Sequence, residues 1–204
     1  MNDPRRHAPA TLRNRNAILD VLQRVLPPTG LVLELNSGTG EHAAFMAPRL
    51  APRQWQPSDI DSAALASIAA HTAETDAPNL LPPVEIDVTT QDWPIEEAAA
   101  VVSANMIHIA PWKACLGLLD GAARILPEGD GILYLYGPFK RNRMHTAPSN
   151  EAFDQSLRSQ DPRWGVRDLE DVIAEAENRG FHLAETVEMP SNNLSVIFRK
   201  HATA

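Results

Sequence analysis

Gly38 and Gly40 follow an apolar run and open an amphipathic one in "LVLELNSGTGEHAAFMA", residues 31 to 47. With Ala43 they satisfy the pattern G-x-G-x-x-G/A, in which glycine lets the backbone turn at positive φ and lets a ligand approach without a Cβ in the way. Amides at the start of the following helix can donate to that ligand's polar edge. Glu34 sits four residues before Gly38. A carboxylate there would repel a pyrophosphate and accept from a cationic amine. Asp59 closes the next apolar stretch, 19 residues after Gly40, where an acid can take both hydroxyls of a ribose. Asp87, followed by Val88 in "EIDV", pairs an acceptor for an adenine amino group with an apolar neighbour for the ring. Helix capping or turn formation is the competing role of each aspartate. The set suits an adenosine joined to an amino acid better than a dinucleotide.

The elements that must hold these residues can be read from periodicity. "LRNRNAILDVLQRVLP" places Leu12, Ile18, Leu19, Leu22, Val25 and Leu26 on one helical face, and Pro27-Pro28 ends it. The strand "LVLEL", the glycine turn and a helix stopping near Pro48 or Pro52 come next. "RQWQPSD" reads as a second strand and the alanine-rich "DSAALASIAAHTAE" as a helix. "PPVEIDV" and "AAAVVSANMIHI" are the third and fourth strands, "WKACLGLLDGAARIL" a helix and "GILYLYGPF" the fifth strand. Strands alternating with helices imply parallel pairing and right-handed crossovers, hence an α/β, Rossmann-like, doubly wound sheet. After the helix "DLEDVIAEAENRGF", the strands "HLAETVEMP" and "NLSVIFRK" are separated only by "SNN", which makes an antiparallel hairpin.

A chain of 204 residues is expected to form a single domain, 1–204. The sequence lacks an apolar run long enough to span a bilayer, its start lacks the apolar centre of a secretory signal, and it has one cysteine. A cytoplasmic protein is expected. Cys115, within an apolar helix, reads as a buried thiol. The formal charge of -8 argues against nucleic-acid binding through a broad basic face. The scattered histidines offer no metal-ligand spacing, so no metal site is expected. His42 and His71 read as surface or capping residues.

"LELNSGTG", "WQPSD", "EIDVT" and "ANMIHIAPW" together resemble the class I S-adenosylmethionine-dependent methyltransferases. More narrowly, "RNRNAIL", "SGTGEHA", "LYGPF", "PSNEAFDQSLRSQDPRWGVRD" and "NNLSVIFR" are similar to the DUF938 family, which includes methyltransferase-like protein 26. The resemblance runs from about residue 8 to 199 and implies a seven-stranded, mostly parallel sheet ending in an antiparallel hairpin strand. It implies that Glu34, Gly38 and Gly40, with Asn36 in the same turn, cradle the methionine part of S-adenosylmethionine. Asp59 would take the ribose, Asp87 and Val88 the adenine. Asn105 and Met106 would stand beside the sulfonium. "NMIHIAPW" lacks the acidic or proline-aromatic motif of many amine methyltransferases, so the target chemistry does not carry over.

Methyl transfer from a sulfonium needs alignment and desolvation, and a base only where the accepting atom starts protonated. His108, three residues after Asn105, is the candidate base, with a structural histidine bonded to the following loop as the competing role. A helix over about residues 11–26 could cover the cleft, bringing Arg13 and Asn14 to the cofactor carboxylate. Residues 140–168 form a polar insertion read as a lid docked by Phe153 and Trp164. Tyr136, Arg141, Arg143, His145 and Trp164 are the candidate contacts to a small-molecule acceptor, with an anionic one favoured by the arginines. A nicotinamide-dependent oxidoreductase is the alternative enzyme, disfavoured by Glu34 and the terminal hairpin. A non-catalytic cofactor-binding or scaffold protein on the same fold is the other alternative. The oligomeric state is left open.

Overall fold

The computed structural model describes residues 3–202; residues 1–2 and 203–204 of the expected 1–204 domain lie outside the described residues. The chain opens with α1 (Pro9–Val25), β1 (Leu31–Leu35), α2 (Glu41–Arg49), β2 (Gln54–Asp59) and α3 (Ser62–Glu74). It continues through β3 (Val84–Glu85), β4 (Ala100–Ala104), α4 (Trp112–Ile125) and β5 (Ile132–Gly137). Next come β6 (Phe139–Arg141), β7 (Met144–His145), α5 (Pro148–Gln160) and β8 (Arg167–Asp168). The chain ends in α6 (Leu169–Glu177), β9 (Phe181–Met189) and β10 (Asn193–Lys200).

The main sheet has seven strands in the order β3-β2-β1-β4-β5-β10-β9. All neighbours pair in parallel except β10, which runs antiparallel to both β5 and β9. The α/β fold, the mostly parallel sheet and the terminal hairpin are as the sequence predicts. Apolar residues fill both faces because both are covered. Along β5, Leu133 and Leu135 join the core under α4 and α6, while Ile132, Tyr134 and Tyr136 join the core under α1 and α2. Among the described residues no helix is long and apolar enough to cross a membrane.

Three local expectations change. The third strand pairs only over Val84–Glu85, and the chain from 86 to 99 reaches β4 without a helix. Trp93 takes the vacant place in the layer, buried against Gly121 of α4. The fourth strand stops at Ala104, because Asn105 turns at φ 62 into the 3-10 turn Met106–His108. The 140–168 segment is built rather than loose: β6, β7 and β8 form a small sheet and α5 packs beside it. Its buried anchors are Leu157, Val166 and Asp154, whereas Phe153 is 39% exposed and so does not dock the segment.

Gly121→Ala would put a Cβ 2.2 Å from Cη2 of Trp93. The expected cost is about 1–3 kcal/mol by urea denaturation. Trp93→Leu in the same chain should return much of that loss, and an undiminished stability in the single variant would contradict this packing.

Candidate functional site

The loop between β1 and α2 holds three residues at positive φ: Asn36 at 60°, Gly38 at 60° and Gly40 at 88°. Gly40 is closed in, since a Cβ there would lie 2.7 Å from the Cα of Ile68 on α3, and this lets α2 and α3 approach. Gly38 is open, with nothing within 4 Å of the same construction. Its N–H donates to Oδ2 of Asp59 at 2.9 Å, while Oδ1 of Asp59 accepts from the Asp61 N–H at 3.0 Å. The loop after β1 and the end of β2 are thus tied together by one buried carboxylate. The next residue, Ile60, is 56% exposed, an apolar surface beside Asp59 that no motif in the sequence marked.

The side chain of Glu34 lies elsewhere than expected. Strand alternation turns it to the α1 and α2 side, where it is 4% exposed and takes the indole N–H of Trp55 at 2.9 Å. Burial raises its carboxyl to about 7. It is a core carboxyl capped by tryptophan, while its backbone carbonyl accepts from the hydroxyl of Ser58 at 2.8 Å.

α1 lies against α2, and its start is fastened to the glycine loop's helix. The Ala8 N–H donates to Glu41 at 2.7 Å, the Arg6 N–H to Ser67 at 2.8 Å. Arg15 of α1 and Arg49 of α2 both stack on Phe45, at 4.4 and 3.9 Å from the ring centre. Asn14 is buried and its Oδ1 meets Nε2 of His42 at 2.8 Å, while both Asn14 and Tyr136 line a cleft beside it. His42 is therefore a packed residue rather than a surface one, and burial lowers it to about 4. Burial likewise lifts the phenol of Tyr136 above its ordinary value.

A cleft of about 540 Å³ opens between α1, the end of β5, α5 and the β9–β10 turn. Arg13, Asn14, Asn105, Tyr136 and Phe153 line it, with the turn residues Ser191 and Asn192. Asn105 is held by its N–H donating to the Tyr136 carbonyl at 2.7 Å, and Met106 is buried behind it.

Other sequence-derived candidates stand apart from this cleft. His108 has 0% exposure, accepts the Arg167 N–H on Nδ1 at 3.2 Å, packs edge-on against Phe139, and is lowered to about 3 by burial. Sealed in this way it cannot meet an acceptor; it joins the 3-10 turn to β8. Arg141 pairs with Glu188 at 3.0 Å. Arg143 faces a separate cavity of about 380 Å³ with Lys140, Arg158 and Arg167, and its N–H donates to Asp168. His145 lies 3.7 Å from Asp154, and Trp164 lines neither cavity. Asp87 accepts from the N–H and hydroxyl of Thr89, both at 2.8 Å, and Val88 is buried against Gly117.

The family model described as "Protein of unknown function (DUF938)" matches residues 5–200. The chain belongs to the DUF938 family. Among solved structures, this DUF938 chain is similar to human N-acetylserotonin methyltransferase in complex with SAM, at 15% identity and a TM-score of 0.76 over 95% of this chain and 53% of that one. It is similar to an O-methyltransferase family protein from Burkholderia thailandensis at 14% identity and a TM-score of 0.80, over 96% and 58% of the two chains. An O-methyltransferase family 2 protein from Planctomyces limnophilus, in complex with apigenin, gives 16% and 0.79 over 92% and 56%. The DUF938 chain spans just over half the length of each. At these identities the likeness establishes a fold shared with S-adenosylmethionine-dependent methyltransferases.

Glu34 gives the DUF938 protein a pH-dependent stability. Between its ordinary value of 4.5 and its folded value of about 7, the folded chain keeps a proton that the unfolded chain releases. The stability contributed at low pH is lost as pH rises through that window, by roughly 3 kcal/mol in all. His42 and His108, both lowered by burial, act in the opposite direction, so the informative comparison is wild type with Glu34→Gln. Glutamine keeps the acceptor for Trp55 and cannot ionise. Its stability advantage over wild type in urea denaturation should grow between about pH 5 and about pH 8; a difference that stays constant would contradict the buried carboxyl.

Proposed function

We propose that this DUF938 protein binds S-adenosylmethionine along the carboxyl edge of the sheet and transfers its methyl group to a small-molecule acceptor in the cleft beside Tyr136. The observation that carries the reading is Gly38, held at positive φ by Asp59 with open space above it, at the point where the strand order reverses between β1 and β4. Open parallel sheets bind ligands in the crevice at such a point. Gly38 leaves room for the amino-acid part of the cofactor, Asp59 offers its carboxylate to the ribose, and exposed Ile60 offers an apolar face to the base. Asp87 stands at the third strand end for the adenine amino group. Asn105 and Tyr136 join the cofactor edge to the acceptor cleft. The similar human N-acetylserotonin methyltransferase is in complex with SAM, which supports the same choice of cofactor.

When bound, the cofactor supplies an electrophilic methyl group on a sulfonium whose leaving group is a neutral thioether. The chain's own part is positional. α1 covers the cleft through Asn14, and the raised phenol of Tyr136 stays protonated near neutral pH, so it orients an acceptor by hydrogen bonding rather than by taking its proton. His108, sealed beneath the turn, has no part in proton transfer.

Calorimetry should show S-adenosylmethionine or S-adenosylhomocysteine binding, with no comparable NAD binding; a preference for NAD would overturn the assignment in favour of an oxidoreductase. Asp59→Ala should weaken binding of S-adenosylhomocysteine by roughly 1.5–3 kcal/mol, because the ribose bonds are charge-assisted and the Gly38 amide loses its partner. Unchanged affinity in a folded variant would place the ribose elsewhere. Labelled cofactor incubated with a cell metabolite extract tests turnover: cofactor binding without any labelled product would favour the non-catalytic alternative.

A further inference from the structure

The acceptor cleft has an unusual charge inventory for a protein of formal charge -8. Arg13 is the one charged side chain lining it, and none of the lining residues is aspartate, glutamate, histidine, lysine or cysteine. Among the described residues no carboxylate forms an ion pair with Arg13, so this exposed residue brings an unneutralised guanidinium to the cleft it lines. The amide N–H groups of Asn150, Asn192 and Asn193 are spent on the rim: Asn150 donates to the Asn192 carbonyl at 2.9 Å, Asn192 to Ser149 at 3.2 Å, and Asn193 to the Pro190 carbonyl at 3.0 Å. These bonds fix the wall and leave Arg13 as the one charged donor lining the cleft. Ile109, Pro138, Phe153 and Pro190 supply apolar surface.

The second consequence concerns protons. Tyr136, raised by burial, is protonated near neutral pH, and His108 is out of reach, so the wall of the cleft offers no group that takes a proton there. An acceptor atom that begins protonated, such as an alcohol oxygen, would find no side chain in the wall to take its proton. A carboxylate oxygen begins without one and carries the charge that Arg13 lacks.

Resting on the methyl-transfer reading above, we propose that the acceptor is a monocarboxylic acid with an apolar body, methylated on a carboxylate oxygen, and that Arg13 is the residue that selects it. The carboxylate oxygen forms the new O–CH3 bond. The S–CH3 bond breaks with its electron pair staying on sulfur, and the products are a neutral methyl ester and a neutral thioether. No proton moves. Because the ester has lost the charge that Arg13 recognises, the same residue that selects the acid ceases to hold the product.

The test uses the full chain saturated with S-adenosylhomocysteine and titrated by calorimetry with benzoate, benzamide and benzylamine. Benzoate should bind at least about tenfold more tightly than either neutral or cationic analogue, and Arg13→Ala should remove that preference while leaving S-adenosylhomocysteine affinity unchanged; Arg13→Lys should keep part of it. In the wild type, methyl label transferred from S-adenosylmethionine to the small-molecule fraction of a cell extract should be released as volatile methanol by mild alkali, as esters are. Equal binding of benzamide or benzylamine, or an alkali-stable label, would overturn the proposal. Loss of S-adenosylhomocysteine affinity in Arg13→Ala would also overturn it, by placing the guanidinium on the cofactor. A wild type that binds no S-adenosylhomocysteine would instead strike at the methyl-transfer reading itself.

Discussion

β1 and β4 lie side by side, and each leaves the sheet through an asparagine in the left-handed region, Asn36 at φ 60 and Asn105 at φ 62. Asparagine tolerates this conformation better than other non-glycine residues. Two neighbouring parallel strands whose exits both turn sharply cannot send their chains straight on together. One goes to α2 through the glycine loop, the other through a 3-10 turn to α4 on the opposite face. The crevice between those exits follows from this divergence, and the Asp59–Gly38 bond and the Asn105–Tyr136 bond set its two sides.

Much of this was legible in the sequence because it depends on periodicity and on turn chemistry. Strand positions 31–35 and 193–200, the helix over 62–74 and the position of Asp59 at a strand end follow from periodicity and apolar runs, whereas the apolar run through residue 109 hid the stop at Ala104. Side-chain direction was harder. Glu34 falls at a strand's carboxyl end, as read, but the period-2 alternation of β1 sends its carboxyl into the core with Trp55, and only the pairing of β1 with β2 shows that a tryptophan waits there. His108 follows Asn105 closely in sequence, yet the positive φ of Asn105 rotates the chain so that the imidazole goes under Phe139. Arg141 and Arg143 read as contacts to an anionic acceptor, and the sequence does not reveal that Glu188, from the distant β9, already pairs with Arg141.

Several cations serve the backbone rather than a carboxylate. Arg53 donates to the carbonyls of Leu26, Pro27 and Leu50, where α1 and α2 end. Lys200 donates to Ala123 and Leu126 at the end of α4, and Arg167 to Ile107, Ala110 and Arg163. Helix ends leave carbonyls without intrahelical partners, and a cation suits the negative end of the helix dipole. In a chain with more acids than bases, using positive groups in this way leaves few of them elsewhere, which makes a lone guanidinium in an acid-free cleft a local feature rather than a general one.

The strand order carries a consequence for synthesis. β10, which follows β9 in the chain, lies between β5 and β9, and the turn before it, with Ser191 and Asn192 at positive φ, forms one wall of the cleft whose opposite wall begins at residue 10. The glycine loop, the end of β2 and β4 come from one continuous stretch in the first half of the chain and can assemble as it emerges. The cleft beside Tyr136 cannot, because it joins residues 10–14 to residues 190–193 across the end of β5. A growing chain therefore makes the Gly38–Asp59 loop pair well before it can close the cleft beside Tyr136.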